Sequence, residues 1–243
     1  MTELVLPHYP LPVGVHPPMD FAGYKSTALR HPRAPLQILP QRLTEVTGPV
    51  FGEGRVGPTD HDLTVQHDGE PIGQRIIVKG RVLDTVGVAL PHTLIEIWQA
   101  NASGRYRHPA DNWPAPLDDN FTGVGRAVSD SDGNYEFVTV KPGAYPWKNH
   151  HNAWRPAHIH FSLFGRSFIQ RLVTQMYFPD DPLFGQDPIF NSVRDPAARQ
   201  RMVSTFDLAA TRPQWALAFH FDIVLRGPRA TTFEDQEDHD DER

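Results

Sequence analysis

From residue 75 onward the chain is cut by turn residues into short runs rich in β-branched and aromatic side chains. That spacing limits its possible folds more than any other feature. The runs 75–82, 93–98, 135–140, 157–164, 171–178 and 215–225 are each of strand length, and glycine and proline punctuate the stretches between them. Asp130-Ser-Asp-Gly-Asn-Tyr135 is a turn cluster that feeds one such run, and Pro142-Gly143 ends it. One helix is predicted, with Asp195 as N-cap, Pro196 at the first helical position, and the pattern continuing through Ser204. Strands that do not alternate regularly with crossover helices predict a mostly β protein, a β-sandwich with few short helices.

Residues 1–75 differ in texture. They are proline-rich, carry turn signals such as Pro17-Pro18, and show no long 3.6-periodic apolar stripe. They are expected to form an extended N-terminal arm that packs at an interface, followed by a sandwich domain over 76–233. The remaining 234–243 form an acidic tail expected to be solvated and disordered.

Composition removes several function classes. The 243 residues are 39% hydrophobic with no run approaching twenty apolar residues, so a buried core is expected and a membrane span is not. The first residues lack a positive flank and an unbroken apolar stretch, which predicts a cytoplasmic protein. A formal net charge of −6 offers no footprint for nucleic acid. The absence of cysteine excludes disulfides, a thiol nucleophile and thiolate metal ligation, so any metal must be held by nitrogen and oxygen donors.

His158-Ile-His160 places two imidazoles on one face of a strand, where they can share a metal ion or lie on a solvated edge. The pair alone does not choose a metal. Zinc hydrolases use it with a third histidine or carboxylate, for which His220 or Asp222 could serve, and ferrous oxygenases complete it with a carboxylate. Tyr106 and Tyr145 lie in loop-like sequence, where a tyrosine is less readily explained as core. A phenolate is a hard anionic donor suited to ferric iron.

The runs Leu94-Ile-Glu-Ile-Trp-Gln-Ala-Asn-Ala-Ser-Gly-Arg-Tyr-Arg-His108, Lys141-Pro-Gly-Ala-Tyr-Pro-Trp147 and Trp154-Arg-Pro-Ala-His-Ile-His-Phe161 resemble the signature of the intradiol ring-cleaving dioxygenases. They are most similar to protocatechuate 3,4-dioxygenase β chains. The likeness extends through Gln175-Met-Tyr-Phe and Phe221-Asp-Ile-Val-Leu-Arg-Gly227, and back to Tyr24-Lys-Ser-Thr, so it covers nearly the whole chain. Departures are confined to His150-His151 and to a longer acidic tail after Phe233.

The resemblance implies a non-haem Fe(III) cofactor held by Tyr106, Tyr145, His158 and His160, with Tyr145 and His158 axial. It further implies Arg155 as active-site arginine, and Trp98, Trp147, Gln175 and Ile189 as pocket lining. Tyr145 would be the ligand displaced when a catechol chelates the metal. The implied reaction consumes protocatechuate and O₂, and the implied partner is an α chain in an αβ hetero-oligomer. Catechol and hydroxyquinol dioxygenases share such an iron site but carry a helical N-terminal segment that residues 1–75 do not predict. A non-catalytic sandwich subunit would lack the four ligands.

Overall fold

A computed structural model describes residues 13–35, 37, 56–148, 151–164 and 171–232. The acidic tail, much of the proline-rich arm and His150 lie outside the described residues. Two sheets carry the fold, as the short β-rich runs predict. In the first, β1 (Arg75–Leu83) pairs antiparallel with β4 (Asn134–Val140) on one side and parallel with β10 (Leu217–His220) and β11 (Ile223–Val224) on the other. The two-residue β9 (Thr205–Phe206) pairs with β10. The second sheet is antiparallel in the order β3 (Val124–Val128), β2 (Leu94–Trp98), β7 (His158–Phe164), β8 (Arg171–Tyr177). A small separate ribbon joins β5 (Tyr145–Trp147) to β6 (Ala153–Arg155).

The predicted run 215–225 is divided at Phe221-Asp222, where the Asp222 carboxylate, not a main-chain carbonyl, accepts from the Arg81 N–H at 2.8 Å. Register is the same on both sides of the interruption, Ile76 opposite Leu217 and Val82 opposite Ile223. Gly80 makes this possible, since a Cβ there would lie 1.9 Å from the Phe221 carbonyl oxygen.

The core fills the space between the sheets. Ile76, Val78 and Val82 of β1 and Phe137 of β4 meet Ile95 and Ile97 of β2 and Ile159, Phe161 and Leu163 of β7. Leu63, upstream of the first strand, is fully buried in the same cluster, and Asp62 bridges to Val138. Near the N-terminus a single helical turn, α1 (Thr27–Arg30), is tied down by the Thr27 hydroxyl, which donates to the Tyr24 carbonyl at 2.7 Å.

Two short helices follow β8. α2 (Pro188–Ser192) and α3 (Pro196–Arg201) each open with an aspartate cap and a proline, Asp187 accepting from the Ile189 N–H and Asp195 from the Ala197 N–H. The α3 start agrees with the sequence expectation, but its end falls at Arg201, not Ser204. The chain beyond is taken by β8, because the Tyr177 N–H donates to the Met202 carbonyl and the Ser204 N–H to the Tyr177 carbonyl, both at 2.8 Å. Among the described residues no helix is long and apolar enough to cross a membrane.

Candidate active site

Strand β7 is buried on both faces. Its odd-numbered residues enter the sandwich core, so His158, His160 and Ser162 point the other way. Cross-strand pairing then builds a row on that outer face: Trp98 opposite His160, His160 opposite Gln175, and His158 opposite Tyr177. The Trp98 and His160 rings stack at 4.8 Å with planes 8° apart, and the two histidine rings lie 4.8 Å apart.

Two loops bring the tyrosines over this row. Gly104 (φ +79°) has no room for a Cβ, which would meet the Ala144 carbonyl oxygen at 2.2 Å, so the loop ending at Tyr106 packs directly on the chain entering Tyr145. The Gly143 N–H donates to the Asn101 carbonyl at 2.9 Å and closes the same contact. Asp111 accepts from the Tyr106 N–H at 2.8 Å. The outcome is two facing phenol–imidazole pairs: Tyr106 Oη is 3.1 Å from His160 Nε2, and Tyr145 Oη is 3.3 Å from His158 Nε2. The two tyrosine rings meet edge to face at 5.6 Å.

The donor chemistry of this quartet fits a metal ion. His158 Nδ1 lies 2.6 Å from the Pro156 carbonyl, an acceptor only, so Nδ1 carries the proton and the Nε2 lone pair faces the tyrosines. Burial, followed by the positive charge of Arg155 and the presence of His160, holds His158 well below the ordinary histidine pKa, in the neutral form that can ligate. Two imidazoles and two phenol oxygens converge. By contrast, among the described residues no group of three His, Asp or Glu converges to hold a metal. His220 and Asp222 pair with each other at 3.0 Å on the first sheet, so they do not supply the third ligand that a zinc hydrolase would need.

Arg155 is fully buried on β6, directly opposite Tyr145. One Nη donates to Gln175 Oε1 and lies 3.3 Å from the Tyr177 hydroxyl, while Nε is 3.2 Å from Asp187 Oδ1. Its guanidinium sits 5.4 Å over the Trp147 ring. Trp147 meets Tyr24 edge to face at 4.7 Å, and the Arg30 guanidinium lies 4.7 Å over the opposite partner, the Tyr24 ring. Ile189, on α2, lines a small apolar cavity of about 20 Å³ together with Phe21 and Tyr24. Sequence reasoning missed Tyr177, Asp187, Tyr24 and Arg30. Tyr177 had a signal, being two residues from Gln175 on the same strand face, and Asp187-Pro188 repeats the cap signature read at Asp195-Pro196.

Residues 46–227 match the dioxygenase family model, and residues 9–42 match the N-terminal model of the protocatechuate 3,4-dioxygenase beta subunit. The chain belongs to the intradiol dioxygenase family. Within the family it is 54% identical over 221 residues to the protocatechuate 3,4-dioxygenase beta chain of Burkholderia cepacia, covering 90% of this chain and 94% of that one. The alpha chain from Pseudomonas putida is 27% identical over 210 residues, 83% of this chain and 99% of its own length. The solved hydroxyquinol 1,2-dioxygenase of Pseudomonas putida DLL-E4 shares the fold at a TM-score of 0.53, with 22% identity over 87% of this chain and 72% of that one.

Proposed function

We propose that this chain is the iron-bearing β chain of a protocatechuate 3,4-dioxygenase, opening protocatechuate with O₂ between its two hydroxyl-bearing carbons to give 3-carboxy-cis,cis-muconate. The observation that carries the reading is the convergence of Tyr106 on His160 and Tyr145 on His158 at 3.1 and 3.3 Å, on the outer face of one strand. Tyr106, Tyr145, His158 and His160 would hold a non-haem Fe(III). Bound there, ferric iron would supply a Lewis acid able to withdraw electron density from a catechol-type substrate and so favour its reaction with O₂.

The protein's own groups account for the rest. Tyr145 lies on the three-residue β5, directly across from Arg155 on β6. As a phenolate, its Oη is a base able to accept a proton from an entering catechol hydroxyl. Arg155, buried beside His158, offers a fixed positive charge to the negative charge that develops on the ring during attack. Trp98, stacked on His160, and Trp147, beneath the Arg155 guanidinium, would supply apolar walls that limit access of water. Arg30, stacked on Tyr24, is a second cation on the same aromatic wall and suits the carboxylate that distinguishes protocatechuate from catechol.

An α-chain partner is supported by the β-chain relative at 54% identity and by the more distant α-chain likeness. Exposed Phe206 and Leu208 near the β9 edge provide apolar surface of the kind an interface covers. The test is anaerobic titration of the iron-loaded protein, co-expressed with its α chain, with protocatechuate and with catechol, followed in the visible spectrum and then by product analysis after O₂ is admitted. A colour shift saturating at lower protocatechuate than catechol, with the muconate as product, is expected. Zinc in the purified protein, or a yellow semialdehyde product, would overturn the reading.

A further inference from the structure

Asp187 is fully buried, with no exposed surface. Its carboxylate has three partners. Oδ1 accepts from the Ile189 N–H at 2.9 Å and lies 3.2 Å from Arg155 Nε; Oδ2 is 2.8 Å from the Tyr177 hydroxyl. Tyr177 Oη in turn lies 2.7 Å from Gln175 Oε1, the atom that accepts from Arg155. One carboxylate therefore ties together α2, which bears Ile189, the face of β8 opposite the histidines, and β6, whose Arg155 stands across from Tyr145.

A buried carboxylate is costly, and an N-cap alone does not require one, since serine or asparagine caps as well. The charge answers the guanidinium instead. A guanidinium with a carboxylate 3.2 Å from its Nε and one Nη donating to an amide oxygen is restrained in orientation, and its field is partly neutralised.

We propose that Asp187 is a positioning residue for ring cleavage: its carboxylate fixes the Arg155 guanidinium and offsets its charge, so that Arg155 acts on the developing transition state and does not over-stabilise the bound anionic substrate. This rests on the function proposed above. An Arg155 relieved of Asp187 would be a stronger and looser cation beside the site. Anionic substrate would then bind as tightly as before or more so, while turnover falls, because interactions equal in ground and transition states do not raise kcat.

Three variants separate this from a purely structural role. Asp187→Asn keeps the cap and removes the charge; Asp187→Ser keeps the cap and cannot reach Arg155; Tyr177→Phe keeps the ion pair and removes the hydroxyl. Each is made in the full chain with its α partner and loaded with iron. Iron content, unfolding temperature, the anaerobic dissociation constant for protocatechuate and kcat are then measured. For both Asp187 variants kcat is expected to fall about ten- to a hundredfold, with the dissociation constant unchanged or lower and iron content normal, and for Tyr177→Phe a smaller fall in the same sense. An unchanged kcat in a folded Asp187 variant overturns the proposal. So does a parallel loss of iron, affinity and turnover, or failure of all three variants to fold, either of which makes the contact structural. If the unsubstituted protein does not cleave protocatechuate, it is the proposed function that fails, so the two failures are distinguishable.

Discussion

The two faces of β7 are equally buried but chemically opposed. Ile159, Phe161 and Leu163 enter an apolar core, where a side chain is valued for its volume and for the contacts it makes on every side. His158, His160 and Ser162, one residue out of phase, are just as removed from water, though polar groups ordinarily lose free energy there. The apolar face explains why the strand exists and where it sits. The polar face explains what it is for, because a protein retains buried imidazoles beside buried Arg155 and Asp187 only where partners satisfy them.

The largest expected effect sets the two faces against each other. His160→Ala should abolish ring cleavage and iron retention while the metal-free protein unfolds at nearly the same denaturant concentration. Phe161→Ala, next to it on the other face, should do the reverse, lowering stability by roughly 3–5 kcal/mol with iron still bound in whatever fraction is folded. Denaturant titrations of both metal-free variants, together with metal analysis, check the contrast; equal destabilisation by the two would erase it.

Next in size is Arg155→Lys, which keeps the charge but loses the planar fork held by Gln175 and Asp187. A fall in kcat of about a hundredfold with iron content unchanged is expected from single-turnover kinetics. Loss of iron in step with kcat would move Arg155 from the chemistry to the framework.

The smallest effect concerns a histidine outside the polar face. His16 adjoins Val15 in a second apolar cluster, and burial, then the charge of Arg201, lowers its pKa below the ordinary 6.5. The unfolded chain therefore binds more protons than the fold between that lowered value and about 6.5. His16 thus leaves stability intact above pH 6.5 and erodes it as pH falls through 6.5 toward the folded pKa. Urea midpoints at pH 7.5 and 5.5 should drop slightly less in His16→Gln than in the unsubstituted protein, and an equal drop would mean that His16 titrates alike in both states.

Much of this was readable in the chain, and the exceptions have physical causes. Runs of β-branched residues marked β1, β2, β4, β7 and β8, because intrinsic preference and burial agree there. β3, Val124-Gly-Arg-Ala-Val128, was not foreseen: it is short, mixed in character and an edge strand, and only its pairing with β2 defines it. The interruption at Asp222 is likewise a product of packing, since it depends on the closeness of Gly80 to Phe221. For the candidate site, His158 and His160 share a face by simple alternation. The approach of Tyr106 and Tyr145 came only from family resemblance, because loops placed by Gly104 and Gly143 have no periodicity to read. Asp187 was missed although Asp-Pro marks a helix start there as it does at Asp195, because a helix of five residues gives no apolar stripe to support the cap.

The metal proposed for the polar face of β7 gives the most direct test. Iron content and electron paramagnetic resonance of the purified protein, measured side by side for the unsubstituted chain, His160→Ala and Phe161→Ala, test it in one series. One high-spin ferric ion per folded chain in the unsubstituted protein and in Phe161→Ala, and none in His160→Ala, is the predicted result. An undiminished ferric signal in His160→Ala, or zinc in place of iron in the unsubstituted protein, would contradict it.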